Sequence, residues 1–335
     1  MLTSSDSLDD LFIFSGESNL PLAEDICRLL GVPLRPTHYK RFSNDNLWIQ
    51  LGESVRGKDV YIIQSLSEPA QDHLMQLLMM LNVAKTGAAS RVTAVIPHFS
   101  YSRSDKKDAP RICITARLVA DLITQSGADR VITMALHASQ VHGFFSIPLD
   151  HLTSTYILSQ YFRRRDLSET VLVSPDTGYA KNAARFAKLL NLPLAIGTKV
   201  RHGDSEVEVD DVLWSGQFGR KAIIIDDEIA TGGTMVKMSE TLRDRYGVEE
   251  IFLACTHGIF SGSAVQKINE VDIVTEVVCT DTVYTPRAHQ LKKLHIETIA
   301  PVLAEGIRCN HLGQSVGSLF TFWQEGTPKE LAGGD

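Results

Sequence analysis

The stretch Lys221–Thr234, K-A-I-I-I-D-D-E-I-A-T-G-G-T, restricts the possible folds more than any other part of the chain. Ala222 to Ile225 form the short continuous apolar run expected of a strand buried on both faces of a parallel sheet. The run stops at Asp226 and Asp227, two carboxylates that burial without partners would penalise. They are expected at the carboxyl end of the strand, the edge where open α/β sheets bind ligands. Thr231, Gly232, Gly233 and Thr234 follow. The two glycines let backbone N–H groups approach a ligand closely, with a hydroxyl on either side. Met235, Met238, Leu242 and Tyr246 then recur at helical spacing, and Gly247 is a plausible stop. Strand, loop and helix are predicted in that order, with a helix N-terminus pointing at the loop as a phosphate site requires.

The acids and the cradle serve different chemistry. Carboxylates repel phosphate, but they accept hydrogen bonds from vicinal hydroxyls or hold Mg²⁺. A ribose carrying a 5-phosphate presents both features. The stretch resembles the phosphoribosyl-diphosphate (PRPP) binding motif of type I phosphoribosyltransferases and PRPP synthetases. An acidic turn leading into an ordinary αβ unit is the bland alternative; strand, acid pair and T-G-G-T together outweigh it.

At 335 residues the chain is long for one domain and comfortable for two. A formal net charge of −7 argues against a nucleic-acid partner, which would favour a basic surface. Cys27, Cys113, Cys255, Cys279 and Cys309 are scattered, odd in number and without CxxC spacing. That suits reduced thiols in the cytoplasm. The first ten residues are polar and acidic, unlike a signal peptide, and no apolar run is long enough to cross a bilayer. The expectation is a cytoplasmic protein with no membrane partner.

Along the chain, Leu11 to Phe14 reads as a strand and Pro21 to Leu30 as a helix ending near Gly31. Leu47 to Leu51 and Val60 to Gln64 read as further strands. Between them, G-E-S-V-R-G-K-D (52–59) nearly spells the Walker A pattern. Asp59 replaces its Ser or Thr, and a strand is expected where a helix is needed, so that reading is rejected. His73 to Val83 is a helix and Val92 to Pro97 a strand. His98 to Arg111 is a long polar loop carrying Arg103, Lys106, Lys107 and Arg111; at a ligand-binding edge such a loop suits a polyphosphate, and elsewhere a solvated surface. A helix over Ile112–Gln125 and a strand over Val131–Leu136 follow, with His137 at the strand's end. Gly143 to Pro148 is read as a hinge or oligomer contact.

A boundary is placed near Leu152–Ser154. Beyond it the plan repeats: helix Thr153–Arg163, strand Val171–Ser174, an acidic turn at Asp176, helix Ala180–Leu190, strand Leu194–Ile196. A charged, mobile segment, Lys199 to Asp211, carries Lys199, Arg201 and His202. After the central stretch come strands near Ile251–Cys255 and Ile273–Cys279, with a helix opened by Ser261-Gly262-Ser263. The reading is α/β: two similar domains with mainly parallel sheets flanked by helices. Residues 1–152 form the first, joined by 311–323. Residues 153–310 form the second, and 324–335 are a disposable tail.

Many segments resemble PRPP synthetase, or ribose-phosphate pyrophosphokinase. They include R-F-S-N-D (41–45), G-E-S-V-R-G-K-D-V-Y-I-I-Q-S (52–65), S-D-K-K-D-A-P-R (104–111), L-H-A-S-Q (136–140), G-F-F-S-I-P-L-D (143–150), S-P-D-T-G (174–178), T-H-G-I-F-S-G (256–262) and the central stretch. The similarity runs collinearly from about Leu11 to Phe320. It implies two type I phosphoribosyltransferase-like domains, and diphosphoryl transfer from Mg-ATP to the C1 hydroxyl of ribose 5-phosphate, giving PRPP and AMP for nucleotide biosynthesis. By that resemblance Asp226, Asp227, Thr231, Gly232, Gly233 and Thr234 hold the ribose phosphate. Arg103, Asp108, Asn46 and Ser104 lie along ATP, and His137 and Asp176 attend Mg²⁺. Lys199 and Arg201 are the catalytic basic pair, with His137 beside the ATP phosphates. It also implies a dimer-based homo-oligomer, a hexamer by family pattern.

The sequence departs from the family pattern at several positions. Ala135 and Ser146 replace acids, and Asn46 and Ser104 occupy positions usually Glu and Gln. Tyr179 stands for a glycine. Ala230 replaces the third Asp of D-D-x-x-D-T, a form similar to the adenine phosphoribosyltransferase loop. Two further readings therefore accompany the first: a weakly active synthetase-like regulatory or assembly subunit, and a PRPP-using phosphoribosyltransferase.

Overall fold

The computed structural model describes residues 7–202, 206–214, 218–317 and 319, with 199–202 and 206–210 described by backbone only. The expected tail, 324–335, lies outside the described residues. The chain divides into two compact units. The first comprises residues up to Thr153, Thr282–Tyr284 and the chain from Thr298; the second comprises Ser154–Asp281 and Thr285–Glu297.

In the first unit β1 (Leu11–Ser15) is buried throughout. Helix α1 (Leu20–Leu30) begins where Asn19 accepts the Leu22 N–H and stops at Gly31, whose φ of 69° suits a residue without Cβ. There follow β2 (Leu34–Arg35), β3 (Thr37–Arg41), β4 (Leu47–Leu51), β5 (Asp59–Ile63), α2 (Ala70–Thr86), β6 (Arg91–Ile96), α3 (Thr115–Gln125), β7 (Arg130–Met134) and β8 (Leu149–Leu152). Six strands form one parallel sheet in the order β2-β1-β5-β6-β7-β8, and β3 pairs with β4 as a separate antiparallel hairpin.

The second unit contains α4 (Thr155–Arg163), β9 (Thr170–Ser174), α5 (Ala180–Leu190), β10 (Leu194–His202), β11 (Glu206–Leu213), β12 (Lys221–Ile229), α6 (Gly233–Tyr246), β13 (Glu250–Gly258), α7 (Ala264–Asn269), β14 (Val274–Thr280) and β15 (Leu294–Glu297). Its sheet runs β11-β10-β9-β12-β13-β14-β15, parallel except for the β10–β11 pair. Helix α8 (Ala300–His311) then returns the chain to the first unit, where it packs on α1.

Counted within each unit, the parallel strands have one order, 2-1-3-4-5-6, with an antiparallel excursion between the second and third. The order reverses between first and third strands, a switch point of the kind that binds ligands in open α/β sheets. In the first unit that point, between β1 and β5, is filled by protein. Gln64 is fully buried, accepting from Ser18 Oγ at 2.7 Å and donating to His73 O at 3.1 Å and Gln76 Oε1 at 2.9 Å. A Cβ on Gly16 would lie 2.1 Å from the Gln64 side chain, so only glycine lets the plug sit there.

Several expectations need revision. Strand β12 does not end at the acids: parallel pairing with β13 carries it through Asp226 to Ile229. Of the charged segment 199–211, the described backbone, 199–202 and 206–211, pairs as the β10–β11 hairpin, where the sequence reading places no strand. The first unit regains the chain at Thr298 rather than at 311. Phe145 is buried edge-on to Phe99, while Phe144 and Ile147 pack against the same core and stay partly exposed, so one of the segment's two phenylalanine rings serves the unit's interior. A strand follows Asp59's turn, as the rejection of a Walker loop requires.

Candidate active site

At the β9–β12 switch point of the second unit, three carboxylates influence one another. Asp176 lies just past β9, where its Oδ1 accepts the N–H groups of Gly178 (2.9 Å) and Tyr179 (3.3 Å) and fixes the turn into α5. Ser174 Oγ donates to the Asp176 carbonyl at 2.7 Å. Asp227 is 3% exposed, and Asp226 is partly exposed with its Oδ1 accepting the Asp227 N–H at 2.9 Å. Burial first, then the Asp227 charge and the more distant Asp176, push the Asp226 carboxyl well above the usual carboxylate range. Burial first, then the Asp227 and Asp226 charges, raise the Tyr179 phenol. Such an edge favours a cation or hydroxyl donors, either of which relieves the repulsion.

The cradle follows directly. Gly232, at φ 74°, precedes α6, whose first residue is Gly233. A Cβ at Gly232 would stand 3.3 Å from the tip of the Ile268 side chain, a tight contact that a small shift relieves, so it is the backbone angle that calls for glycine. The Ala230 carbonyl accepts the Ser261 N–H at 2.9 Å, tying the loop to the segment before α7. Thr231 is exposed; Gly233 and Thr234 are partly so. With no side-chain cap at Gly232, the first N–H groups of α6 are available to an anion. All six residues expected to hold ribose phosphate therefore occur on one strand–loop–helix unit, beside Asp176.

In the first unit, the β6 and β7 ends carry the residues expected at ATP. Ser100–Arg103 forms a 3₁₀ turn, with Arg103 exposed at its end and Asp108 exposed further on. Ser104 is differently engaged: its hydroxyl donates to the Cys113 carbonyl and accepts the Thr115 N–H, both at 3.1 Å, clasping the loop to α3. His137 is exposed just beyond β7, between buried Leu136 and Ala138. Gln140 donates to Asp105, joining the two loops. Asn46 is exposed at the tip of the β3–β4 hairpin. Lys199 and Arg201 stand two apart in β10, opposite Val209 and Val207; their side chains lie outside the described residues.

Among the described residues, no group of three or more His, Cys, Asp or Glu side chains could close around a metal ion. An edge with two or three carboxylates instead suits Mg²⁺, which keeps waters and shares its shell with substrate phosphates. The cysteines form no disulfide, and four of the five are buried. No helix among the described residues is long and apolar enough to cross a membrane. Sequence reading missed His151, whose ring accepts the Leu136 N–H at 2.8 Å; a lone histidine in a four-residue strand gives no local signal.

Fold and site together define an α/β transferase of the phosphoribosyl type. Residues 11–127 match the family model described as the N-terminal domain of ribose phosphate pyrophosphokinase, and 211–321 match the phosphoribosyl synthetase-associated domain. A putative ribose-phosphate pyrophosphokinase of Streptomyces coelicolor is 48% identical, over 93% of this chain and 98% of its own. The ribose-phosphate pyrophosphokinase of Deinococcus radiodurans is 45% identical over the same shares. The crystal structure of phosphoribosylpyrophosphate synthetase from Mycobacterium smegmatis aligns with a TM-score of 0.82 and 34% identity, covering 90% of this chain and 98% of that one. The chain belongs to the ribose-phosphate pyrophosphokinase family.

Proposed function

We propose that the protein transfers the β,γ-diphosphoryl group of ATP, with Mg²⁺, to the C1 hydroxyl of ribose 5-phosphate, releasing AMP and PRPP for nucleotide biosynthesis. The observation that carries the reading is the second unit's switch point, where an acid pair and a third carboxylate stand beside a glycine-rich helix N-terminus. In this reading Thr231, Gly232, Gly233 and Thr234 take the 5-phosphate, and Asp226 and Asp227 accept hydrogen bonds from the vicinal ribose hydroxyls. Asp176 helps to hold a Mg²⁺. In the first unit Arg103 and Asp108 lie along ATP, and His137 meets its phosphates and metal. Asn46 and Ser104 lie towards the adenine, Ser104 through the loop that its hydroxyl secures.

Bound Mg²⁺ supplies charge neutralisation on the polyphosphate. The protein's part is alignment and further positive charge on the non-bridging oxygens, which phosphoryl-type transfer needs more than covalent chemistry. Lys199 and Arg201 supply that charge. The protein works in the cytoplasm as a dimer-based homo-oligomer, a hexamer by family pattern. Leu118 and Leu122, one turn apart and exposed on α3, favour a subunit contact. A monomer by light scattering at micromolar concentration would contradict that assembly.

The direct test mixes purified protein with ribose 5-phosphate, Mg²⁺ and ATP and follows AMP and PRPP. Both products are expected. A folded protein that releases no AMP with any nucleoside triphosphate or divalent metal would overturn the reading and favour the regulatory one.

A further inference from the structure

His151 sits where the β7–β8 ladder runs out. The two strands pair from Val131↔Leu149 to Met134↔Leu152, and the Ala135 N–H still reaches the Leu152 carbonyl at 3.0 Å. Ala135 then takes φ 43°, a left-handed conformation that residues with a Cβ rarely adopt, and the chain turns away from the ladder. The next N–H, that of Leu136, therefore has no strand carbonyl opposite it. It donates instead to His151 Nε2 at 2.8 Å, so the ring accepts through Nε2 and carries its proton on Nδ1. Leu136 and Ala138 are buried in the unit's core, while His137 between them is exposed. The backbone immediately before His137 is thus fixed by two hydrogen bonds from β8, one of them from a side chain.

We infer that His151 is a positioning residue: by accepting the Leu136 N–H, it holds the left-handed turn at Ala135 and so sets where His137 stands. The inference rests on the proposed role of His137 at the ATP phosphates. Diphosphoryl transfer depends on alignment, and a displacement of about 1 Å can cost on the order of 100-fold in rate. Removing the acceptor leaves the Leu136 N–H unsatisfied and frees the strained turn to relax.

The test uses the full chain and four variants: His151→Leu, His151→Gln, His137→Ala and the His137→Ala/His151→Leu double. His151→Leu keeps bulk but has no acceptor. It should lower kcat roughly 10- to 100-fold while leaving the KM for ribose 5-phosphate within about twofold, since that substrate is assigned to the second unit. Gln extends an acceptor oxygen to about the reach of Nε2 and should recover turnover to within about threefold of the parent. Added to His137→Ala, His151→Leu should cost less than about twofold more, because a residue acting through another is silent once that other is gone. If His151→Leu does not fold, His151→Asn, polar but too short to reach Leu136, replaces it with the same expectation. Fully multiplicative losses in the double variant, or near-native turnover in His151→Leu when His137→Ala is inactive, would overturn the positioning role. Near-native turnover in His137→Ala would instead overturn the reading of His137, and this inference with it.

Discussion

Asp227 donates its backbone N–H to Asp226 Oδ1 at 2.9 Å, so the first acid of the pair is held by the main chain of the second. Burial and the Asp227 charge make ionisation of Asp226 costly. The folded protein therefore binds a proton at this carboxyl that the unfolded chain has released above its ordinary value near 3.8. With more protons bound in the folded state, the contribution to stability is greatest in acid and declines as pH rises through the folded pKa. Asp226→Asn removes the charge and should stabilise the apoprotein at pH 8 by about 1 kcal/mol, read as a higher Tm. The same change should raise the KM for ribose 5-phosphate by at least tenfold, since the amide does not reproduce a carboxylate facing two hydroxyls. A lower Tm would show that the repulsion is already relieved in the free protein.

Gly232→Ala should damage the cradle through its backbone. A Cβ at φ 74° is strained, while its 3.3 Å contact with the tip of the Ile268 side chain is relieved by a small shift. The expected cost is roughly 1 kcal/mol of stability, together with a large rise in KM for ribose 5-phosphate and little change in ATP affinity. Chemical denaturation and steady-state kinetics on one preparation separate the two effects.

A third prediction concerns pH. Burial, with His142 a smaller cause, lowers the His151 pKa from 6.5 to about 4. Between these values the unfolded chain binds more protons than the folded one, so stability rises with pH across the window and falls on acidification. The loss on going from pH 7 to pH 4 should be roughly 2–3 kcal/mol from this group alone. His151→Gln cannot titrate there, and its denaturation free energy should have a flatter slope between pH 6.5 and 4. Identical slopes in the two proteins would refute the assignment.

How much of this was legible in the sequence depended on how local each signal was. Ala180–Leu190 has the bounds read from sequence; its buried Ala183, Phe186, Ala187 and Leu190 repeat on one face, and the structure shows Asn191 ending it in the left-handed conformation. The strand–loop–helix around Gly232 was equally plain, since an apolar run, acids and glycines mark it within fourteen residues. Extension of β12 past Asp226 was not, because pairing such as Glu228↔His257 joins residues 29 positions apart. Helix α8 went unread: Pro301, Gly306 and Cys309 disguise its period, and its return to the first unit is fixed by tertiary bonds such as Tyr61 OH to Asn310 at 3.0 Å. The Gln64 plug and the His151 contact were hidden for the same reason, as both are meetings of distant residues.

Those tertiary bonds around α8 give a fourth prediction. Asp59, buried at the start of β5, pairs with Arg91 and accepts from His311 Nδ1 at 2.7 Å, while Arg91 also donates to the Asn310 carbonyl at 3.1 Å. Asp59→Ala should cost roughly 2–3 kcal/mol, less than a fully buried pair would because the Arg91 side chain is 33% exposed. Hydrogen exchange should quicken first in α8. Uniform exchange across the first unit would mean that the helix is held by its apolar face alone.

The last prediction concerns Lys199 and Arg201, two residues apart on β10. Phosphoryl-type transfer builds charge on the non-bridging oxygens, and a cation meeting that charge in a water-poor site is worth several kcal/mol. A group whose contact strengthens only as the transfer proceeds lowers kcat when removed and leaves substrate binding almost unchanged. Lys199→Ala and Arg201→Ala should therefore each reduce turnover by orders of magnitude, with both KM values within a few-fold of the parent. The double substitution should cost less than the two single losses combined, as expected of a pair acting as a unit. A raised KM at constant kcat would recast the pair as substrate-binding groups. Near-native turnover in Lys199→Ala would move the catalytic charge elsewhere, and Arg103, exposed at the end of its 3₁₀ turn, would be the next residue to substitute.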